Sequence, residues 1–445
     1  MNDKLIKSVS EAGIVGAGGA GFPTHVKLAA QAETVIINGA ECEPLLRVDR
    51  QLMEKEAGKL LRALDLIVES AGASRGVVAL KRHYHEAAAA LRGELAAHPA
   101  LSLCELGSFY PAGDEQVVVY EAAGRIVPEG GIPLNVGVIV VNVETALNIL
   151  AAYEEGLPVT DKYLTVTGAV RSPKSVKVPI GITVSEAIEL AGGATVADYA
   201  VINGGPMMGM TVAPDSVVTK TTKGLIVLPS GHSLLTSLKK PLERSIRDAA
   251  IACMQCSLCT EVCPRHLLGH RIEPHKMMRI AAYGSVCDAK QSPMNAYLCV
   301  GCRLCEYACV MGLQPWKFNA SIKKTLTQNG VKNNLRDTPE RCGSFRDYKL
   351  YPVSKLLRQL GLAEYDRAAP MESGEYRFSK VALPLRQGAG APAVPVVAAG
   401  DCVARGELIA KIPDGKLGSN LHASIGGRVT FVTENVIIIT SKATE

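Results

Sequence analysis

Aromatic residues are scarce in this chain: Phe, Tyr and Trp make up 4% of 445 residues, with one Trp, which leaves few rings to stack on a planar ligand. Charge of one sign is lacking as well. A net charge of +5 over this length is too mild for a phosphate-backbone binder, so nucleic acid is not expected as a partner. No apolar run reaches the ~18 residues a membrane span needs, and the first residues show no basic-then-apolar targeting pattern. The expected setting is cytoplasmic, with no transmembrane segment. Low-complexity sequence is scarce, and at ~100–200 residues per domain the length implies three or four globular domains. No histidine pair repeats with a carboxylate at metal spacing, so His25, His266, His270 and His275 are expected to be hydrogen-bonding or surface groups.

Cysteine, by contrast, is present in a pattern. Of thirteen cysteines, eight form two copies of one spacing, Cys253-x2-Cys256-x2-Cys259-x3-Cys263-Pro264 and Cys299-x2-Cys302-x2-Cys305-x3-Cys309. In such runs three closely spaced thiolates wrap one face of a [4Fe–4S] cube, and the fourth, turned away, ligates the cube of the other run. The expected sets are Cys253, Cys256, Cys259 and Cys309 for the first cluster, and Cys299, Cys302, Cys305 and Cys263 for the second. Zinc is the rival for any Cys-x2-Cys pair, but two such pairs complete a zinc site, and the third and fourth Cys of each run would be left over. Val310 stands where the first run has Pro264, which loosens the turn without removing a sulfur. Cluster assembly needs free thiolates and fits a reducing compartment. Cys42, Cys104, Cys287, Cys342 and Cys402 lie outside the runs and are expected to be small buried hydrophobes, Cys42 being the one to watch. Lys and Arg crowd the first run from Lys239 to Arg279. They read as a solvated surface balancing anionic clusters, with a docking patch for an acidic partner as the alternative.

The chain opens with a helical pattern, Leu5, Ile6, Val9 and Ala12, expected to pack on the first domain rather than serve as a targeting tag. It runs into Gly16-Ala-Gly-Gly-Ala-Gly-Phe-Pro23, whose glycines cannot be a helix interior and allow main-chain N–H groups close to a ligand. Without a preceding strand it is not a dinucleotide fingerprint; the expected strand, Thr34–Asn38, follows it. Three more segments come in order: Asn38-Gly-Ala-Glu-Cys-Glu-Pro44, Tyr110-Pro-Ala-Gly-Asp-Glu-Gln116 and Val141-Asn-Val-Glu-Thr145. Together the four resemble the FMN-site segments of the flavin subunit of respiratory complex I, and are closer still to the Rnf electron-transport C subunit. The resemblance implies that Gly16, Gly18, Gly19 and Lys27 hold the FMN phosphate and ribityl chain, and that Asn38, Glu41, Glu115, Asn142 and Thr145 line the ring and ribityl hydroxyls. Ala40 stands where complex I has an Asp. For stacking NADH over the flavin the chain offers Phe22 and few other rings.

Further on, Tyr163–Pro179 reads as two strands broken at Ser172-Pro173. A short helix follows, capped by Ser185 and ended by Gly192-Gly193. Strand, turn, strand, helix opens a β-grasp fold, and the segment resembles the soluble-ligand-binding β-grasp (SLBB) domain of the same families, expected to be a spacer between flavin and ferredoxin domains. Asn203–Met210 is a Gly/Met loop, Pro315–Asn334 a basic helical return and Arg336–Ala368 charged and irregular. The short Val/Ile strands of Pro384–Ser441 resemble the barrel-sandwich domain found at the other end of the Rnf C subunit. Neither Lys411 nor Lys416 sits in a lipoyl-type turn, so a structural module is expected.

The fold class expected is thus multidomain α/β plus β. It comprises an FMN-binding α/β domain (1–160), the β-grasp domain (161–236), an α-helical double-[4Fe–4S] ferredoxin domain (237–335) and a C-terminal barrel-sandwich hybrid (376–445). This order is similar to that of the flavoprotein cobalamin reductases of propanediol-utilisation microcompartments. The resemblance implies an oxidoreductase taking electrons from NADH through FMN and two [4Fe–4S] clusters to a corrinoid, with no side chain acting as acid, base or nucleophile. A conduit protein that donates to another oxidoreductase is the alternative. Expected partners are a corrinoid or cobalamin adenosyltransferase and a microcompartment shell protein, with the chain inside the microcompartment.

Overall fold

The computed structural model describes residues 3–283, 293–372 and 374–441; Cys287 lies outside them. The first unit is built on four parallel strands in the order Leu101–Leu106, Arg75–Lys81, Thr34–Gly39, Val138–Asn142. The two inner strands read as continuous Val/Ile runs because both faces are covered. Val35 and Ile37 pack with helices Ala57–Ala71 and Val143–Glu154, while Ile36 faces the other way, with Val117 and Val118 of helix Glu115–Ala123. Leu5 and Val9 of helix Asp3–Glu11 are fully buried in the first of these cores. Strand order reverses between Thr34–Gly39 and Val138–Asn142, and the carboxyl ends of strands at such a switch point are where open α/β sheets bind ligands.

In the second unit Asp161–Gly168 pairs antiparallel with Lys174–Pro179 and parallel with Gly224–Pro229, inside a five-stranded sheet. Its helix, Val184–Leu190, is capped by Thr183 and not by Ser185: the Thr183 hydroxyl accepts from Glu186 N–H at 3.1 Å and the Glu186 carboxylate accepts from Thr183 N–H at 2.7 Å. A capping box needs Glu three residues after the cap, and only Thr183 satisfies that spacing here.

The C-terminal unit is a sandwich of two antiparallel sheets, one holding Lys380–Pro384, Gly427–Val432 and Val436–Thr440, the other Val394–Pro395, Leu408–Lys411 and Leu421–His422. It is not independent of the second unit. Leu164, Val176 and Ile182 share one continuous core with Val381, Ile409 and Ile437, and Ala382 N–H donates to Gly181 O at 2.9 Å. The β-grasp unit is therefore more than a spacer.

Between these units short helices carry the cysteine runs, and Pro315–Gln328 forms the return helix. The stretch after it is less irregular than expected. Val353–Gln359 is a helix burying Leu356 and Leu357, and Tyr351–Pro352 pairs with Phe109–Tyr110. The spacing Val353, Leu356, Leu357, Leu360 is helical, but flanking charges hide it. Among the described residues no helix is long and apolar enough to cross a membrane.

Candidate functional site

At the switch point the glycine segment forms a closed loop. Gly16 N–H donates to Phe22 O at 2.9 Å and Gly21 N–H to Gly16 O at 3.2 Å. Gly18 faces Asn142, 3.7 Å from where a Cβ would stand, and Gly19 holds φ +118 with no atom within 4 Å of its missing Cβ. Only glycine takes that conformation without strain, and the space beside it is open. At the other end of the loop, Gly21 and Gly388 approach so closely that a Cβ on Gly388 would lie 2.4 Å from Gly21 O, which fastens the loop to the C-terminal unit.

The remaining predicted residues gather round this loop, each with a protein partner. Thr145 Oγ1 accepts from Ala17 N–H at 2.9 Å. Asn142 caps helix Val143–Glu154 through Glu144 N–H, and its Nδ2 donates to Asp49 Oδ2 at 2.8 Å. Asn38, beside Asn142 in the parallel register, donates to Gly113 O at 2.9 Å. Lys27 donates to Glu115 Oε1 at 2.9 Å and to Val140 O at 2.8 Å. Glu41 accepts from Asp49 N–H at 2.9 Å at the head of helix Val48–Lys55; burial, then the neighbouring Asp49 charge, push its carboxyl up. Glu41 thus spends both carboxylate oxygens on the frame, while Lys27 uses two of its three ammonium donors there. Ala40 is fully buried and offers main chain only, and Phe22 is 37% exposed.

Sequence reasoning missed a buried charge network beneath the loop. Lys162 and Lys223, both from the β-grasp unit, reach Glu144; Lys223 also meets Asp49 Oδ1 at 2.6 Å, and Lys162 donates to Ala17 O at 3.2 Å. Burial pulls the Lys162 ammonium down to about 8 despite Glu144. For Lys223 burial acts the same way, but Asp49, Glu144 and Glu41 together outweigh it and raise its pKa. Single lysines in or beside a strand carry no signal of this; only the long-range fold brings Lys162 to Ala17 and Lys223 to Asp49.

Cys253, Cys256, Cys259 and Cys309 line one open cavity. Cys263, Cys299, Cys302 and Cys305 form a second group, with Cys263, Cys302 and Cys305 buried. The two runs repeat one backbone path: Gln255 and Gly301 have φ 57 and 71, Ser257 and Arg303 φ 62 and 60. Non-glycine residues held there mark a functional turn. The donor set fits iron–sulfur cubes. Burial pushes the Cys259 thiol up to about 12, with Cys309, Cys253 and Cys256 adding to it, so four thiolates together need a cationic centre. Gln255 Nε2 lies 3.1 Å from Cys253 Sγ, and buried Asn319, whose amide finds no nitrogen or oxygen partner among the described residues, lies against Cys299.

The histidines of this region are tied to main chain or hydroxyl: His266 to Ile272 O, His270 to Val127 O, His275 to Thr260 Oγ1. Of the other cysteines, Cys402 is exposed, and Cys42, Cys104 and Cys342 are partly exposed rather than buried: Cys42 and Cys342 lie in loops, Cys402 begins a short strand, and Cys104 lies on the edge strand Leu101–Leu106. Cys42 packs on Gly113, and shielding from water, then Glu43, push its thiol up to about 12.

The loop region and the second cysteine group touch. Tyr110 OH donates to Cys302 O at 3.0 Å. Arg265, two residues after Cys263, forms a two-pronged ion pair with Asp114, which also caps helix Glu115–Ala123. Glu43 accepts from Met207 N–H at 2.9 Å and lies near Arg303; burial pushes its carboxyl up to about 7. Arg303 in turn donates to Gly209 O of the Gly/Met loop.

Four family models match in sequence order: the Nuo51 FMN-binding domain (9–151), the SLBB domain (163–211), the 4Fe-4S dicluster domain (252–314) and the RnfC barrel sandwich hybrid domain (367–445). Cobalamin reductase PduS of Citrobacter freundii is 43% identical over 97% of this chain and 95% of its own length. PduS of Salmonella typhimurium is 43% identical over 98% and 96%. The C subunit of the Na(+)-translocating ferredoxin:NAD(+) oxidoreductase complex of Acetobacterium woodii is 36% identical over 60% of this chain and 58% of its own. An FMN-binding domain and a 4Fe-4S dicluster domain in one chain make an electron-transfer oxidoreductase, and by likeness over nearly its whole length the chain belongs to the PduS cobalamin reductase family.

Proposed function

We propose that the chain is an NADH-dependent reductase in which electrons pass from FMN to the cluster of Cys299, Cys302, Cys305 and Cys263, then to that of Cys253, Cys256, Cys259 and Cys309, and finally to a corrinoid. Bound FMN accepts a hydride as two electrons and releases them singly, and each cube carries one. Gly16, Gly18 and Gly19 would hold it through main chain, with Gly19 beside the open space. Asn38, Asn142 and Thr145 fix that loop and strand end, while Lys27, Glu115 and Glu41 hold the surrounding frame. The observation that carries the series is the hydrogen bond from Tyr110, in a flavin-domain segment, to Cys302 O at 3.0 Å. A corrinoid as acceptor is supported by the names of the cobalamin reductases the chain resembles, while NADH as donor, a cobalamin adenosyltransferase or shell protein as partner, and a cytoplasmic location inside a microcompartment are proposed from the sequence resemblance.

The test is anaerobic, with free flavin removed from solution. NADH should reduce the holoprotein, which should then reduce cob(II)alamin or cob(III)alamin, and Cys256→Ala should block that second step far more than NADH-to-dye transfer. If fully reduced protein leaves corrinoid untouched while a co-purifying protein takes its electrons, the corrinoid reading fails.

A further inference from the structure

The two cysteine groups differ in access. In the second group Cys263, Cys302 and Cys305 are buried, whereas Cys256 of the first is exposed. Around it stands an apolar surface: Ile251 is 86% exposed, Val310 66%, Met254 63% and Met311 46%. Met254, Val310 and Met311 line the cavity that Cys253, Cys256, Cys259 and Cys309 share. Long apolar side chains so exposed and so close together mark an interaction site. The rim is basic. Arg244 and Arg247 are exposed on helix Leu242–Ala252, and with Ile251 they follow a three-then-four spacing that puts all three on one face. Exposed Arg279 donates to Gln255, between Cys253 and Cys256, at 2.9 Å. Asp248, on the same helix, is paired with Lys240 at 2.6 Å and Arg244 at 3.6 Å.

We propose that this face docks an acidic protein carrying a one-electron centre, to which the first-group cluster donates. The proposal rests on the electron-transfer series above and adds the partner's chemistry. An apolar centre excludes water over the exposed cluster edge, while the arginines steer an acidic surface and repel a basic one. One electron leaves the reduced cluster and one arrives on the acceptor; no bond or proton moves.

Holoprotein reduced by dithionite, with the excess removed, is mixed with an oxidised acidic flavodoxin or with oxidised basic cytochrome c, each a one-electron acceptor. Transfer to flavodoxin should be fast at low salt and fall steeply toward about 1 M, where the Debye length is ~3 Å. The R244E/R247E variant, checked for unchanged iron, sulfide and FMN, should be slower with flavodoxin by about tenfold or more at low salt, and faster with cytochrome c. Ile251→Glu should slow flavodoxin at all salt concentrations. Flat salt dependence in the unaltered protein, or wild-type rates in R244E/R247E, overturns the proposal. The series beneath it fails separately: Cys256→Ala passing electrons to flavodoxin at the wild-type rate refutes the exit through the first cluster, whereas failure with corrinoid alone leaves the docking face standing.

Discussion

Lys162→Met tests whether the β-grasp unit holds the flavin loop. Lys162 is 1% exposed, joins Glu144, itself 1% exposed, and donates to Ala17 O at 3.2 Å. Removing one partner of a buried ion pair costs about 3–5 kcal/mol when the other charge is orphaned. Glu144 is not orphaned here, since it keeps Lys223 at 3.4 Å and accepts from Tyr163 N–H at 3.1 Å. The loss should therefore fall nearer 2 kcal/mol, of which about 1 kcal/mol is the hydrogen bond that anchors the loop at Ala17. If the loop is ordered only when FMN binds, the anchor's share of about 1 kcal/mol appears in affinity, as roughly fivefold weaker FMN binding at 1.4 kcal/mol per decade, and the rest appears in stability. The assay is titration of flavin-free protein with FMN, followed by quenching of flavin fluorescence, with cluster absorbance as the control. FMN affinity equal to wild type in a well-folded Lys162→Met protein refutes the reasoning.

Because Cys309 shares a cavity with the first run, Cys309→Ala should lose the same EPR signal as Cys256→Ala and keep the one lost in Cys302→Ala; matching Cys302→Ala instead would show that the ligands do not cross. Lys220, which donates to Gly13 O at 2.7 Å and Asn420 O at 2.6 Å, is pulled down by burial to about 7 from 10.5, and His422 by burial and then Lys220 to about 4 from 6.5. Both bind protons more weakly folded than unfolded, so their contribution to stability rises with pH, from about 4 to 6.5 for His422 and about 7 to 10.5 for Lys220. The thermal midpoint of wild type should gain on that of Lys220→Met between pH 6 and pH 9 as measured by calorimetry; a gain in the opposite direction contradicts the assignment.

Spacing carries information where the chemistry is local. The equal spacing of the two cysteine runs points to their grouping, and the structure sets Cys309 beside Cys253, Cys256 and Cys259, and Cys263 beside Cys299 and Cys302. The Val/Ile strands and the glycine loop are legible for the same reason. What the sequence hides is long-range. Thr183 outcompetes Ser185 as a cap only because Glu186 lies three residues on, and nothing local in Lys162 or Lys223 announces that segments 145 or more residues from Ala17 will place them under it and beside Asp49. The helix Val353–Gln359 is a different case: its apolar spacing is local, but it is short and lies among charges that mask it.

The contacts between units explain how an FMN-type domain and a ferredoxin-type module can work as one device despite the β-grasp sequence that separates them. Tyr110 and Asp114 grip the turns that hold Cys302 and Cys263, so the second cysteine group is fixed against the flavin segments rather than tethered to them. From the opposite side the β-grasp unit props the glycine loop through Lys162, and the C-terminal sandwich closes on the same loop at Gly21 and Gly388. Both of those units share a single core, so neither can shift without moving the loop. What fastens the sandwich at this position is its surface at Gly388 and Asn420. A mobile carrier arm would need the reverse, a domain with few contacts; here Lys411 and Lys416 are both exposed, but the sandwich that carries them shares its core with the β-grasp unit.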